Sequence, residues 1–406
     1  MTDTAQSEIP SHLRAAWMER ADIRELVTVL GADKVRFVGG AVRDALLGST
    51  VKDIDMATVL HPEAVMDLLA GAGIRRVPTG IEHGTVTAVL EGGPVEITTL
   101  RHDVSTDGRR ATVAFAQDWR EDAARRDFTI NALYADPASG EIFDWFGGLE
   151  DLAARRVRFI GDARQRIRED HLRILRYFRF QARFGTRPAD KEAESACSEL
   201  AATLKGLSRE RVGAEMMNLL GLPDPSPTVA RMAELGVLAV ILPEADPEAL
   251  AALVVAETAG TIAPDPLRRL AALLPADVTL AEQVAARFRL SGAQKKRLAL
   301  AAARGAASED AAIDTPAGAR ALAYRLGCDA ALDRLLITGA DSAPLAHWSI
   351  PVFPLKGGQI VARGVGKGPE VARILHAVED RWIAEGFPDA TRVEALLDEV
   401  VAGTPS

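Results

Sequence analysis

Two aspartates one residue apart, Asp53 and Asp55 in "KDIDMA", follow shortly after a glycine pair, Gly39-Gly40, in "VRFVGGAVRDALLGSTVKDIDMAT" (35–58). On a strand, residues two apart project to one face, so the two carboxylates are expected side by side while Ile54 and Met56 turn to the core. Carboxylates held together repel each other and favour a hard cation between them. Mg²⁺ suits such oxygen ligands, above all when substrate phosphates complete its shell. A D-x-D taken alone reads more readily as a strand edge with two solvated aspartates. The glycines upstream add a second element, because Gly-Gly lets the backbone approach a ligand without Cβ clashes. A helix beginning at Ala41 would offer free N–H groups to phosphate. Arg43, just inside that helix, could meet a phosphate or pair with a carboxylate. In "VEITTLR", Glu96 alternates with Val95 and Ile97 and could join the aspartates on one polar sheet face.

These residues need strands and helices to place them. "VRFV" and "KDIDMA" read as strands around a helix "AVRDALLG" that Gly48 ends, and Pro62 opens a second helix. Residues 85–100 read as a hairpin turning at Gly92-Gly93. Beyond about residue 160 the chain becomes rich in Ala, Leu and Arg at helical spacing. Pro223, Pro225 and Pro227 suggest a linker, and Pro344, Pro351 and Pro354 interrupt the chain again. With 406 residues, 48% apolar and 26% charged, a globular protein of two or three domains is expected at roughly 100–200 residues each. The opening "MTDTAQSEIP" has no basic and apolar leader pattern, so no secretory signal is expected. The apolar runs are too short to span a bilayer. Cys197 and Cys328 are the only cysteines, which suggests neither a disulfide framework nor a cysteine metal site and fits a reducing cytoplasm.

The net charge of −9 argues against general polyanion binding, but the charge is unevenly spread. Between Arg155 and Arg183 stand ten arginines against Asp162, Glu169 and Asp170. Such local density is the electrostatic footprint expected of a nucleic-acid contact.

The ordered set "GGAVRD…DIDMAT", "TGIEHGTVT", "VEITTLR", "ARRDFTINAL", "FDWFGGLEDL", "RIREDHLRILRYFRF" and "GLSRERVGAEM" resembles the class II nucleotidyltransferases over about residues 35–220. That family, within the DNA-polymerase-beta-like superfamily, holds CCA-adding tRNA nucleotidyltransferases and bacterial poly(A) polymerases. The resemblance implies an α+β fold, with a nucleotidyltransferase head of mixed sheet and flanking helices (1–157). An all-helical neck for base recognition and RNA binding (158–222) and a helical body and tail that bind tRNA (223–406) would follow. It implies Mg²⁺ on Asp53 and Asp55, and CTP and ATP as substrates; Glu96, from its alternation on the strand, is taken as a further catalytic carboxylate, with an exposed strand glutamate as the alternative. Gly39, Gly40 and Arg43 would cradle phosphates. Arg126 and Asp127, ahead of a strand-like run, would contact the nucleotide sugar and phosphates; the plainer reading is an Arg–Asp pair pinning that strand.

As one helix, "EDHLRILRYFR" would set Asp170 and Arg173 three apart on one face. Cytosine and adenine each present an amino donor beside a ring-nitrogen acceptor. A carboxylate with a guanidinium matches that edge and mismatches uracil and guanine. The resemblance assigns this template role to Asp170 and Arg173, with Arg176 and Arg179 continuing toward phosphates or the RNA end. An Asp–Arg pair at that spacing also reads as a surface salt bridge.

His102 reads as a loop residue and His171 as part of the neck helix. The tail segment 353–387, with Lys356 and Lys367, resembles that of CCA-adding enzymes and could hold the tRNA elbow, although Gln359 stands where relatives often have aspartate; core packing is the alternative. The reading is thus a Mg²⁺-dependent enzyme completing the tRNA 3′ end in the cytoplasm, with no membrane and no obligate protein partner. Its rivals are a poly(A) polymerase, a CC-only or A-only enzyme, and a non-catalytic RNA-binding module. "PTGIEHGTVT" speaks against the polymerase, and segment 101–119, long enough for the flexible loop CC-only members lack, favours full CCA addition.

Overall fold

The computed structural model describes residues 9–107, 110–305, 313–366 and 368–403, with backbone alone for 102–107 and 110–114. Lys367 lies outside the described residues. The chain divides into two compact units, one reaching Glu215 and taking in Arg231–Ile241, the other Met216–Ala230 with the chain from Leu242 onward.

The first unit is built on a seven-stranded mixed sheet, in the order β3-β4-β5-β2-β1-β8-β9. Its strands are β1 (Val35–Val38), β2 (Ile54–Thr58), β3 (Arg75–Gly80), β4 (Thr85–Leu90), β5 (Gly93–Thr99), β8 (Tyr134–Ala135) and β9 (Ile142–Phe143). A separate two-stranded ribbon comprises β6 (Arg101–Asp107) and β7 (Arg110–Phe115). β2 and β5 run parallel, and the other neighbours are antiparallel. Phe37, Met56, Ile97 and Val86 are register partners across four strands, and all are buried. The adjoining row, Asp55, Glu96 and Thr87, points to the opposite face because side chains alternate. One step in register therefore separates core from polar face.

Helices α1 (Ala21–Leu30), α2 (Gly40–Leu46), α3 (Pro62–Gly71), α4 (Trp119–Ala124) and α5 (Gly148–Ala153) accompany the sheet. After them come α6 (Ala163–Glu169), α7 (Arg173–Phe184), α8 (Lys191–Glu199) and α9 (Arg209–Leu220). The hairpin at 85–100 is present, with its two-residue turn at Glu91-Gly92 and Gly93 already paired to Leu90. Segment 101–119 is mostly the β6–β7 ribbon, so His102 is a strand residue rather than a loop residue.

In the second unit, helices Pro247–Ala259, Pro266–Leu273 and Cys328–Thr338 share a buried ionic network. Arg268 joins Glu257 (2.7 Å) and Asp333 (3.0 Å), and Arg269 joins Glu257 (2.8 Å). Buried charges are tolerated when paired on every side, as these are. The proline-rich stretch near 223 is a tight turn rather than a linker. Arg269 caps the carbonyls of Leu220 and Pro223, and Pro227 already sits in the first turn of helix Ser226–Glu234. Helices Pro369–Ala384 and Ala390–Ala402 close the chain around Trp382, Ile374, Leu396 and Leu397.

Candidate active site

Asp55 on β2 faces Glu96 on β5 in parallel register, with Glu96 exposed and Asp55 partly covered. Asp53 lies just ahead of β2, not in it, because strand pairing begins at Ile54 opposite Val95. Even so, the three carboxylates form one electrostatic cluster. Burial, then the charge of Glu96 and, more weakly, of Asp53, push the Asp55 carboxyl up to about 6, against the pull of Arg126. Among the described residues these carboxylates have no hydrogen-bond or ion-pair partner, whereas Arg126 and Arg43 each have several. Nor do three or more His, Cys, Asp or Glu close around a point there as a complete metal cage. Mg²⁺ fits a site of this kind, since it retains waters and is held by one or two carboxylates plus substrate phosphates.

The glycine turn stands next to this face. Gly39 has φ +67°, a left-handed conformation that favours glycine, and its N–H bonds the carbonyl of Leu133 (3.1 Å). A Cβ there would stand 3.3 Å from Nη1 of Arg126. The glycine turn and the R-R-D motif are thus brought together. Helix α2 starts at Gly40 and is seven residues long. Arg43 points inward: it is buried, bonds Asp44 (2.8 Å) and the Asn131 side chain, and lies 4.1 Å over the Phe184 ring. Of its two expected roles, the structure displays the carboxylate pair.

Arg126 and Asp127 do not pair with each other. Arg126 donates to the Tyr134 hydroxyl (3.0 Å) and to Asp122 (3.2 Å). Asp127 is buried and accepts from Phe128 N (2.9 Å), Asn131 Nδ2 (2.9 Å) and Arg176. The strand-like run expected after it is instead a 3₁₀ turn, Thr129–Asn131. Short polar side chains accompany that turn: Thr129 donates to Asp151 (2.6 Å) and Asn131 to Asp127 (2.9 Å), while the backbone closes from the Ala132 N–H to the Thr129 carbonyl (3.0 Å).

The helix expected across 169–179 is broken. Asp170 ends α6 with extended backbone, and Arg173 begins α7. The break has a cause, since Asp170 Oδ1 accepts from the N–H of Leu172 (3.1 Å), a local bond that interrupts the helix. His171 therefore lies in a turn, not in a helix. Asp170 and Arg173 remain neighbours through a backbone bond (3.0 Å), but their side chains have other partners. Asp170 takes Arg211 (2.7 Å), and Arg173 takes Glu169 (2.6 Å) and the carbonyl of Arg125 (3.1 Å).

The arginine excess is compensated in space. Of the ten arginines from 155 to 183, eight hold ion pairs. Arg176 pairs with Asp127, Arg179 with Glu215 (2.6 Å) and Arg183 with Asp44 (3.2 Å). The segment is basic along the chain but far less so on the surface. Sequence reasoning missed Asp122, Tyr134, Asn131, Arg211 and Glu215. The one available signal was Asp122, four residues before Arg126 at helical spacing.

Residues 35–158 match the family described as "Poly A polymerase head domain", and 189–248 match "Probable RNA and SrmB- binding site of polymerase A". CCA tRNA nucleotidyltransferase 1, mitochondrial, of Mus musculus is 35% identical over 368 residues, 87% of this chain and 84% of that protein. The Homo sapiens protein of the same name is also 35% identical, with the same coverage. Among solved structures, the Bacillus stearothermophilus CCA-adding enzyme in complex with CTP superposes with a TM-score of 0.71 at 26% identity, covering 94% of this chain and 98% of that one.

Proposed function

The chain belongs to the CCA tRNA nucleotidyltransferase family, and on that premise we infer that it is an enzyme that completes tRNA 3′ ends with C, C and A from CTP and ATP. The observation that supports this most is the unpaired Asp55–Glu96 face, with Asp53 beside it and the Gly39 turn and Arg126 at its edge. Asp53 and Asp55 would hold Mg²⁺, which would supply charge neutralisation at the triphosphate and Lewis-acid activation of the RNA 3′-hydroxyl.

The protein's own part is mostly positioning. Gly39 and Gly40 let the backbone meet phosphates, and Arg126 directs its remaining N–H groups to the same place. Glu96 adds to the negative charge that holds the metal on this face. Asp127 acts through Arg176 and Asn131, orienting the motif rather than touching the nucleotide. Asp170 accepts the amino hydrogen of cytosine or adenine on a remaining lone pair, and Arg173 donates to the ring nitrogen. Uracil and guanine present the reverse order, which would leave both groups unmatched.

We assign residues 1–157 to the catalytic head, 158–222 to the neck and 223–406 to a body and tail that hold tRNA by backbone and shape. The elbow contact falls to 353–387. No helix among the described residues is long and apolar enough to cross a membrane, and both cysteines are free. The cytoplasm is the compartment we propose, although the mouse and human relatives are named mitochondrial. The test is to offer a tRNA lacking its 3′ end each nucleoside triphosphate singly and together, and to sequence the products. CC from CTP and CCA from CTP with ATP support the reading. Poly(A) from ATP alone, or arrest at CC with both present, would replace it.

A further inference from the structure

Asp122 is 1% exposed, yet its carboxylate accepts from four residues on two strands and the turn after α4. Oδ2 accepts from Arg126 Nη2 (3.2 Å) and from the Tyr134 hydroxyl (2.5 Å). Oδ1 accepts from Arg125 Nε (2.8 Å) and from the backbone N–H of Arg101 (3.3 Å), the first residue of β6. Tyr134 closes the triangle, since its oxygen also accepts from Arg126 Nε (3.0 Å). The tyrosine is itself fixed: it is fully buried, β8 pairs it with Val38, and Trp119 and Trp145 stand edge-on at 6.0 and 5.4 Å.

Neutralising a buried carboxylate takes one arginine, and Arg125 already provides it. A tyrosine bonded to both Asp122 and Arg126 does something further, because it fixes the direction of the guanidinium. The edge carrying Nε and Nη2 is clamped, and Nη1 is left facing the Gly39 turn, 3.3 Å from where a Cβ would stand. We propose that Asp122 and Tyr134 are positioning residues that aim Arg126 at the nucleotide phosphates and tie that aim to the base of the β6–β7 ribbon. The proposal rests on Arg126 being a nucleotide contact. A shift of the ribbon base at Arg101 would be felt at Arg126 through one carboxylate.

The test measures KM for CTP and ATP, kcat and tRNA affinity in the full-length protein carrying Tyr134→Phe, Asp122→Asn and Arg126→Lys, singly, and Tyr134→Phe with Arg126→Lys. Asp122→Asn should raise KM for both nucleotides about ten-fold, the scale of one lost charge-assisted hydrogen bond. Tyr134→Phe should move KM the same way by less, and tRNA affinity should be unchanged in both. The Tyr134→Phe effect should vanish when Arg126 is already lysine, because a residue acting through another is non-additive with it. A Tyr134→Phe effect of equal size in both backgrounds would overturn the proposal, as would normal nucleotide KM in both single variants. If Arg126→Lys alone leaves nucleotide KM unchanged, the premise about Arg126 falls instead, and the proposal with it. Should Asp122→Asn fail to fold, the Tyr134–Arg126 cycle decides alone.

Discussion

Arg176 and Asp127, 49 residues apart, are joined by two hydrogen bonds to a single carboxylate oxygen, from Nε at 2.8 Å and Nη2 at 2.5 Å. The pair joins the arginine face of α7 to the motif that carries Arg126. Burial alone would raise the Asp127 carboxyl, but Arg176, Asn131 and the Phe128 N–H hold it below the usual carboxylate range. The arginine stripe is thus partly an internal brace.

Removing Arg176 should therefore cost stability before it costs RNA affinity. Arg176→Ala strands a buried carboxylate, which typically destabilises by about 3–5 kcal/mol. Denaturant unfolding would read this. The log–log slope of tRNA binding against salt, which carries roughly 0.7–0.9 for each phosphate the protein neutralises, should stay unchanged. A shallower slope with normal stability would return Arg176 to the RNA surface.

Gly39→Ala should impair nucleotide binding. Its φ of +67° disfavours a side chain, and the new Cβ would press on Arg126. A cost of about 1–2 kcal/mol in stability is expected, with a raised KM for CTP and ATP and unchanged tRNA affinity. Equal loss of both affinities would point to general unfolding instead.

The Asp122 network also predicts an acid limit. Burial raises this carboxyl, but Arg126, Arg125 and the Tyr134 hydroxyl outweigh it and bring the pKa to about 2. A carboxyl depressed on folding contributes stability that is present above its unfolded pKa and lost as pH falls through the folded one. The contribution should be about 2 kcal/mol near neutrality and fade from about pH 4 toward pH 2. Stability–pH curves of the parent and Asp122→Asn should therefore converge over that window. Parallel curves would contradict the assignment.

Base choice should depend on Asp170. On the proposed template role, Asp170→Ala would remove the acceptor for the amino groups of both cytosine and adenine, so rejection of UTP and GTP, worth up to roughly 10⁴-fold in such sites, should collapse. Because Arg211 also holds that carboxylate, Arg211→Ala should weaken discrimination less and in the same direction. Unchanged rejection of UTP and GTP by Asp170→Ala would remove the template role.

The elements with a local signal were legible. Alternation placed β1, β5 and the face of Glu96, and the glycine pair marked the turn whose positive φ requires it. Asp53 fell outside β2 because the limits of a strand depend on its partner, here Val95, which local sequence does not reveal. The break at Asp170 comes from a side chain bonding nearby backbone, which competes with the helix without disturbing its periodicity, while the 3₁₀ turn at 129–131 goes with side-chain bonds from Thr129 to Asp151, 22 residues on, and from Asn131 to Asp127. The offset of the charge excess was hidden for another reason. Its compensating acids lie 36, 49 and 139 residues away for Arg179, Arg176 and Arg183, and only the fold brings them together. Tyr134 was illegible as a site residue because its environment, a buried aromatic group, is that of any core tyrosine.

Whether the nucleotide reacts at the Asp55–Glu96 face is decided by single-turnover CTP addition in Asp55→Asn. The amide keeps the size and removes the charge from the middle of the carboxylate cluster. With saturating Mg²⁺ and a tRNA lacking its 3′ end, addition should slow by roughly 10²–10³-fold or more, while tRNA affinity measured in parallel stays within about two-fold of the parent. Addition at close to the parent rate would contradict this assignment and move the reacting centre away from this face.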